Sequence, residues 1–170
     1  MTDQRQPEPW LRGTLTEVPA VVRAVLHALE LAGEDVERWC GDLSEEELHA
    51  QPANLPAVAF HLRHIAGALD RLLTYAEGNS LSAGQIAIMK AEAHPGAARD
   101  VLFAEFRGAL KASAVRIRSF SSESFSQTRK VGRQEMPTTV AGLLVHVADH
   151  TQRHVGQAIT AKVVKSERLR

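Results

Sequence analysis

The segment "HVADHTQRHVGQ", residues 146–157, places three histidines four residues apart and a glutamine after them. In an α-helix, at about 100° per residue, His146, His150, His154 and Gln157 lie on one stripe about 80° wide. Apolar residues flank this stripe, so some of the imidazoles should point toward the protein interior, where a polar group needs a partner. Imidazole nitrogens at i and i+4 can share a divalent metal ion, and the spacing therefore predicts a metal site.

A second pair of histidines stands in "HLRHIAG", where His61 and His64 are three residues apart on one helical face. Two ligands from one helix leave a metal ion incompletely coordinated, so we expect one or both of these histidines to complete the site from a facing helix. The pattern is not that of a zinc protease, because Thr151 replaces the glutamate of HExxH.

The three other histidines are weaker candidates. His27 stands alone in a helical segment, His49 lies in a polar short helix, and His94 adjoins a proline. We expect each of them to be solvated or satisfied within the core.

The composition restricts the kind of protein. Twenty basic residues balance twenty acidic ones in the 170-residue chain, which argues against a nucleic-acid partner. A single cysteine, Cys40, excludes an internal disulfide and a cysteine-rich zinc site. The sequence lacks an apolar run of the roughly 18 residues that a membrane span needs. The first residues, "MTDQRQPEPWLRGTL", lack the apolar core of a secretory signal, so we expect a cytoplasmic protein.

Hydrophobic periodicity predicts the elements that must position the histidines. We expect a single domain over residues 1–170, with residues 1–15 loosely ordered. Four long amphipathic segments run from about Pro19 to Trp39, from Asn54 or Pro56 to Gly78, from Ala97 to Phe120, and from Val140 to Val164. In the third, the residues expected to face inward are Val101, Leu102, Phe106, Leu110 and Ile117. The pattern predicts an all-α fold, a four-helix bundle in which facing helices build the polar site.

Shorter elements connect these segments. Ser44 precedes Glu47 by three residues, a capping box that predicts a short helix ended by Pro52. The stretch "SAGQIAIMKAEA" predicts another short helix. Residues 121–139 are polar and rich in turn formers, so we expect a loop with room for a small β-hairpin, and Thr138 or Thr139 as N-cap of the last helix.

Two segments, "AVAFHLRHIAGALDRLL" and "TTVAGLLVHVADHTQRHVGQ", resemble the DinB/YfiT-like superfamily of metal-dependent enzymes. The resemblance spans most of the chain and implies a four-helix bundle of that type with a three-histidine site for a divalent ion, zinc or nickel. Carried over to this sequence, the ligands are His64, His150 and His154. His146 then lines the pocket and is the candidate catalytic residue that relays a proton. Members are frequently dimeric, so the resemblance also implies a homodimer.

The resemblance implies an activity as well. Characterised relatives include transferases and isomerases that use bacillithiol, mycothiol or glutathione, which implies transfer of a low-molecular-weight thiol to an electrophilic small molecule. Arg71, Arg153 and Gln157 are candidate substrate contacts. Each also has an ordinary structural role open to it, the arginines as solvated side chains or as partners of Asp70 or Asp149.

A non-catalytic metal-binding or stress-related helical bundle is the alternative function. Structural zinc sites normally have four protein ligands, whereas catalytic sites keep one position open. The two functions therefore predict different roles for His61 and His146. In a structural site, one of them would be the fourth ligand of the metal ion, whereas in an enzyme neither would bind it.

Overall fold

Four long helices dominate the computed structural model, which describes residues 6–93 and 96–167. They are α1 (Ala20–Cys40), α3 (Val58–Ala76), α5 (Arg99–Arg118) and α6 (Val140–Glu167). Two short helices, α2 (Glu45–His49) and α4 (Ala83–Ala91), lie in the connections. Single 3₁₀ turns occupy Pro9–Leu11, Pro52–Asn54 and Ser122–Ser124. The predicted all-α fold is confirmed.

The long helices form a bundle in which α1 and α3 each pack against both α5 and α6. The core between them is apolar, and its fully buried side chains include Leu62, Ile65, Leu69, Phe106 and Leu144. Removing one such side chain from water contributes about 1.5–3 kcal/mol to folding. This packing fixes the face of α3 that meets α6, and hence which side chains the two helices share.

Two helix boundaries differ from the sequence-based expectation. Helix α3 begins at Val58, after a turn in which Ala53 and Asn54 take left-handed φ angles of 53° and 61°. A helix cannot run through such residues, and Ala57 is extended with a ψ of 153°, so the helix starts later than Asn54 or Pro56. Helix α6 extends to Glu167, beyond Val164. The predicted end of α3 is confirmed, with Gly78 at a φ of +86° just after the helix.

The inward face predicted for α5 was wrong at one position. Val101 is 47% exposed, whereas Leu102, Phe106 and Ile117 are buried and Leu110 is partly buried. Around the helix axis, Val101 lies about 100° before Leu102, on the side away from the other three. A valine in an amphipathic helix can thus be on the solvent side without disturbing the core.

The predicted caps and the hairpin are present. Ser44 Oγ accepts from the Glu47 backbone N–H at 3.2 Å, and Glu47 Oε2 accepts from the Ser44 N–H at 2.9 Å, which confirms the capping box. Strands β1 (Thr128–Val131) and β2 (Met136–Thr139) pair antiparallel directly before α6. Thr139 Oγ1 accepts from the Gly142 N–H at 3.1 Å, which confirms Thr139 as a cap of α6.

The N-terminal segment contacts α1 where it is described. Arg12 pairs with Glu30 at 2.9 Å and with Glu34 at 2.6 Å. Residues 1–5 lie outside the described part of the chain, so the expectation of a loosely ordered segment 1–15 stays a prediction. Among the described helices, none is long and apolar enough to span a membrane.

Candidate metal centre

Helices α3 and α6 bring His64, His150 and His154 together, and one ring nitrogen from each lies within 4.8 Å of the other two. His64 Nε2 is 3.2 Å from His150 Nε2. The ring centroids of His64 and His154 are 4.4 Å apart. Three imidazole nitrogens at such distances are a donor set that zinc, nickel and similar divalent ions accept, so the cluster fits a metal-binding site.

Burial and mutual repulsion keep two of these imidazoles neutral. Partial burial lowers the pKa of His150 to about 4, and the nearby His154, His64, His146 and Arg153 add to the effect. Burial likewise lowers the pKa of His154 to about 4, helped by the charges of His64 and Arg153. At neutral pH both rings therefore have a free nitrogen lone pair, the form that binds a metal ion.

His61 lies beside the cluster and is only 2% exposed. Its Nδ1 is 3.0 Å from His154 Nδ1, so one of these nitrogens donates to the other. Burial, followed by the charges of His154 and His64, lowers the pKa of His61 to about 4. The nitrogens of His61 are not among those that converge within 4.8 Å. His61 therefore contacts the Nδ1 side of His154 and leaves Nε2 of that ring available.

His146 lies at the solvent-facing edge of the same α6 stripe. Its side chain is 45% exposed, its ring centroid is 5.5 Å from that of His150, and its Nδ1 is 3.6 Å from Asp149 Oδ2. It is also outside the converging group of three nitrogens. The structure thus places His146 next to the cluster, with its side chain partly open to solvent.

Glu92 is part of the site and was not predicted from the sequence. Its side chain is 6% exposed, Oε2 lies 2.8 Å from His64 Nδ1, and the other oxygen accepts from Arg71 Nη1. Burial by itself raises the pKa of Glu92, but hydrogen bonds from His64 and Arg71 outweigh it and hold the pKa below its ordinary value. Nothing in "IMKAEA" distinguishes this glutamate, whose imidazole partner is 28 positions earlier.

The candidate substrate contacts lie in three different settings. Arg71 is 8% exposed and pairs with Glu92, rather than with Asp70 or solvent. Arg153 is exposed and pairs with Asp149, one of the structural roles considered from the sequence. Gln157 is exposed. Only Arg71 therefore touches a residue that itself contacts the histidine cluster.

Two cavities border Glu92. One, of about 330 Å³, lies between α3, α4 and α5, and its walls include Gly67, Arg71 and Ile88. The other, of about 270 Å³, includes His49, Phe60 and Arg63. The three clustered histidines line neither cavity. Glu92 borders both cavities and contacts His64, and Phe60 in the wall of the second cavity stacks on His64 with ring centroids 5.4 Å apart.

The weaker histidine candidates have ordinary partners. His27 is 5% exposed with Nε2 3.1 Å from Thr14 Oγ1. His49 Nε2 is 3.1 Å from the carbonyl oxygen of Ala97. Both are satisfied within the fold, as expected, while His94 lies outside the described residues.

Comparison with known proteins identifies relatives of this bundle. The family model of the DinB superfamily matches residues 28–158. A protein described as the conserved protein of locus from Enterococcus faecalis has a crystal structure that is similar, with a TM-score of 0.69 and 18% sequence identity. The likeness covers 85% of this chain and 96% of that one, and at this identity it shows the fold alone. No curated protein matches the sequence.

Proposed function

Because the chain belongs to the DinB superfamily over residues 28–158, we propose that it is a metal-dependent enzyme whose His64, His150 and His154 hold one divalent cation, zinc or nickel. The observation that carries the proposal is the convergence of one nitrogen from each ring within 4.8 Å. Three neutral histidine ligands would leave the cation its positive charge and room for a further ligand, and the cation would lower the pKa of a thiol or water bound to it.

The reaction that we propose is transfer of a low-molecular-weight thiol to an electrophilic small molecule in the cytoplasm. His146 lies beside His150 and faces solvent, which suits it to take up or deliver the proton that the thiol loses. Arg153, one turn further along α6 and exposed, can contact an anionic group of either substrate. With these roles, both substrates would approach the cluster from the side of α6 that carries His146 and Arg153.

The protein's own thiol does not supply the sulfur. Cys40, the single cysteine, is fully buried, and burial raises the pKa of its thiol to about 11. A thiol in that state is a poor nucleophile, and Cys40 is not one of the side chains in the converging group. A sulfur nucleophile would therefore have to come from a separate molecule, in agreement with a thiol cosubstrate.

The position of the neighbouring histidines supports an open rather than a closed site. Within the described residues, the converging group has three members, and neither His61 nor His146 belongs to it. A structural zinc site would normally use a fourth protein ligand. The arrangement favours the enzyme over the non-catalytic module.

A cobalt-substituted protein tests the proposed function. We expect glutathione to produce a near-ultraviolet thiolate-to-cobalt absorption band, while S-methylglutathione, which lacks the thiol, produces none. The His146→Ala variant should keep the cobalt, and the His150→Ala variant should lose it. Bound cobalt whose spectrum ignores glutathione, cysteine and 2-mercaptoethanol alike would instead favour the non-catalytic module.

A homodimer is also proposed. Helix α4 exposes Ile86, Ile88 and Met89, apolar side chains that a second copy could cover. Light scattering during size-exclusion chromatography should give twice the 18.6 kDa chain mass. A monomer mass at micromolar concentration would contradict this part of the proposal.

A further inference from the structure

The buried carboxylate of Glu92 is the group next to the cluster that the function above leaves without a role. We propose that Glu92 is a positioning residue, which holds His64 as the tautomer with its proton on Nδ1 and so keeps Nε2 free for the cation. The inference rests on the proposed metal site, and it adds a residue that sets how tightly the site binds.

The direction of the hydrogen bond follows from the partners of Glu92. Arg71 donates to Oε1 through Nη1, and its Nη2 lies 3.4 Å from Oε2. A guanidinium is a permanent cation, and its buried ion pair with Glu92 favours the carboxylate form, which can only accept. The 2.8 Å contact between Glu92 Oε2 and His64 Nδ1 must then be an N–H donated by the histidine.

The consequence for His64 concerns its second nitrogen. A neutral imidazole with its proton on Nδ1 has a lone pair on Nε2. That Nε2 is the atom 3.2 Å from His150 Nε2, within the cluster. The carboxylate thus orients the ring and selects the tautomer whose free nitrogen faces the cluster.

Gly67 provides the space for this arrangement. A Cβ at Gly67 would overlap Glu92 Oε1 and stand 2.6 Å from Arg71 Nη1. Any side chain there would have to displace the ends of both partners. The glycine lies one turn of α3 after His64, so its missing side chain lets Arg71 and Glu92 cross the helix surface toward the imidazole.

Helix α4 brings Glu92 to the site. None of the residues from Ala83 to Ala91 is buried, whereas Glu92, the next residue, is. The helix is anchored at its start by Gln85, whose side-chain amide donates to Asp70 Oδ2 at 2.7 Å and to Thr74 Oγ1 at 2.8 Å. Helix α4 has no buried face of its own, but it is thereby attached to α3 at both ends. Gln85 makes the attachment at its start, and the buried Glu92 makes the attachment at its end.

The test compares Glu92 with a matched acid. Glu105 lines the same 330 Å³ cavity but is 47% exposed and pairs with Arg63. Zinc affinity is measured by competition with a chromophoric chelator for the wild type, Glu92→Ala, Glu92→Gln and Glu105→Gln. The His64 tautomer is read in the metal-free proteins from long-range ¹H–¹⁵N NMR spectra.

We expect wild-type His64 to carry its proton on Nδ1. Glu92→Ala should weaken zinc binding about 10- to 100-fold and give a mixture of tautomers, because the acceptor is lost. Glu92→Gln keeps the shape of the side chain and one acceptor oxygen, so it should fold as the wild type does. Its zinc affinity should lie between those of the wild type and Glu92→Ala. Glu105→Gln should change neither readout.

Gly67→Ala provides a second test that leaves Glu92 in place. It should lower zinc affinity in the wild-type background and have little further effect in Glu92→Ala, because both changes disrupt the same contact. Gly108→Ala, at a helical position with nothing within 4 Å of the added Cβ, is the control for a helix glycine and should leave affinity unchanged.

The outcomes separate this inference from the proposed function. Zinc bound equally by the wild type, Glu92→Ala and Glu92→Gln, with the same His64 tautomer, would overturn the role of Glu92 and leave the metal site intact. A wild type that binds no zinc would overturn the metal site, and the affinity role of Glu92 with it.

Discussion

His61 Nδ1 lies 3.0 Å from His154 Nδ1, across the contact between α3 and α6. The two residues are 93 positions apart in the chain, and their contact uses Nδ1 of His154, so Nε2 of that ring is outside the contact. A histidine that ligates through one nitrogen commonly has a partner on the other. In this geometry His61 supports a ligand without being one.

The first prediction concerns that support. His61→Ala should still bind one zinc ion per chain, with affinity about 10- to 100-fold weaker than the wild type, because His154 loses its hydrogen-bond partner. Isothermal titration with zinc separates the stoichiometry from the affinity. A drop in stoichiometry to zero would show that His61 is itself a ligand.

A second prediction follows from the pKa values of the clustered imidazoles in the metal-free protein. Burial, with the neighbouring charges, lowers the pKa values of His61, His150 and His154 to about 4, while an unfolded histidine titrates near about 6.5. Between these values the unfolded chain binds more protons than the folded one, so the free energy of unfolding falls as the pH drops from about 6.5 to 4.

Urea unfolding at several pH values, with a chelator present, measures this slope. The double variant His150→Gln, His154→Gln lacks two of the three groups and should show a shallower fall over the same range. Equal slopes for the two proteins would mean that these imidazoles are already protonated in the folded state or keep ordinary pKa values.

A third prediction separates the fold from the site. Leu144 on α6 is fully buried, whereas its neighbour Val145 is 57% exposed. Leu144→Ala should lower the free energy of unfolding by about 2–5 kcal/mol through the lost apolar burial and the cavity left behind. Val145→Ala is the matched control and should change the free energy of unfolding by about 0.5 kcal/mol or less. Urea denaturation of the metal-free proteins measures both, and similar values for the two would contradict the core described for α6.

The sequence predicted the bundle well because hydrophobic period and capping are local properties. The four long helices, the Ser44–Glu47 capping box and the Thr139 cap were all indicated by residues within a few positions of one another. The expectation failed for Val101 because its apolar character was weighed above its position around the helix axis, about 100° from Leu102, where it faces solvent.

The part of the site that depends on local spacing could also be predicted from the sequence, whereas the part that depends on helix packing could not. The i, i+4 spacing of His150 and His154 indicates a shared ligand, but whether His61 or His64 joins them depends on how α3 is rotated against α6. In the structure, His64 joins the converging group. Glu92 could not be found from the pattern, because its role depends on α4 folding back onto α3 and on the space above Gly67.

The central claim is that His64, His150 and His154 bind one divalent ion, and elemental analysis of the untagged protein by plasma mass spectrometry tests it most directly. The wild type and the control His146→Ala should each contain close to one zinc or nickel per chain. The double variant His150→Ala, His154→Ala should contain almost none while keeping its helical circular dichroism. Full metal occupancy in that double variant, or no metal in the wild type even after incubation with zinc and nickel, would contradict the account.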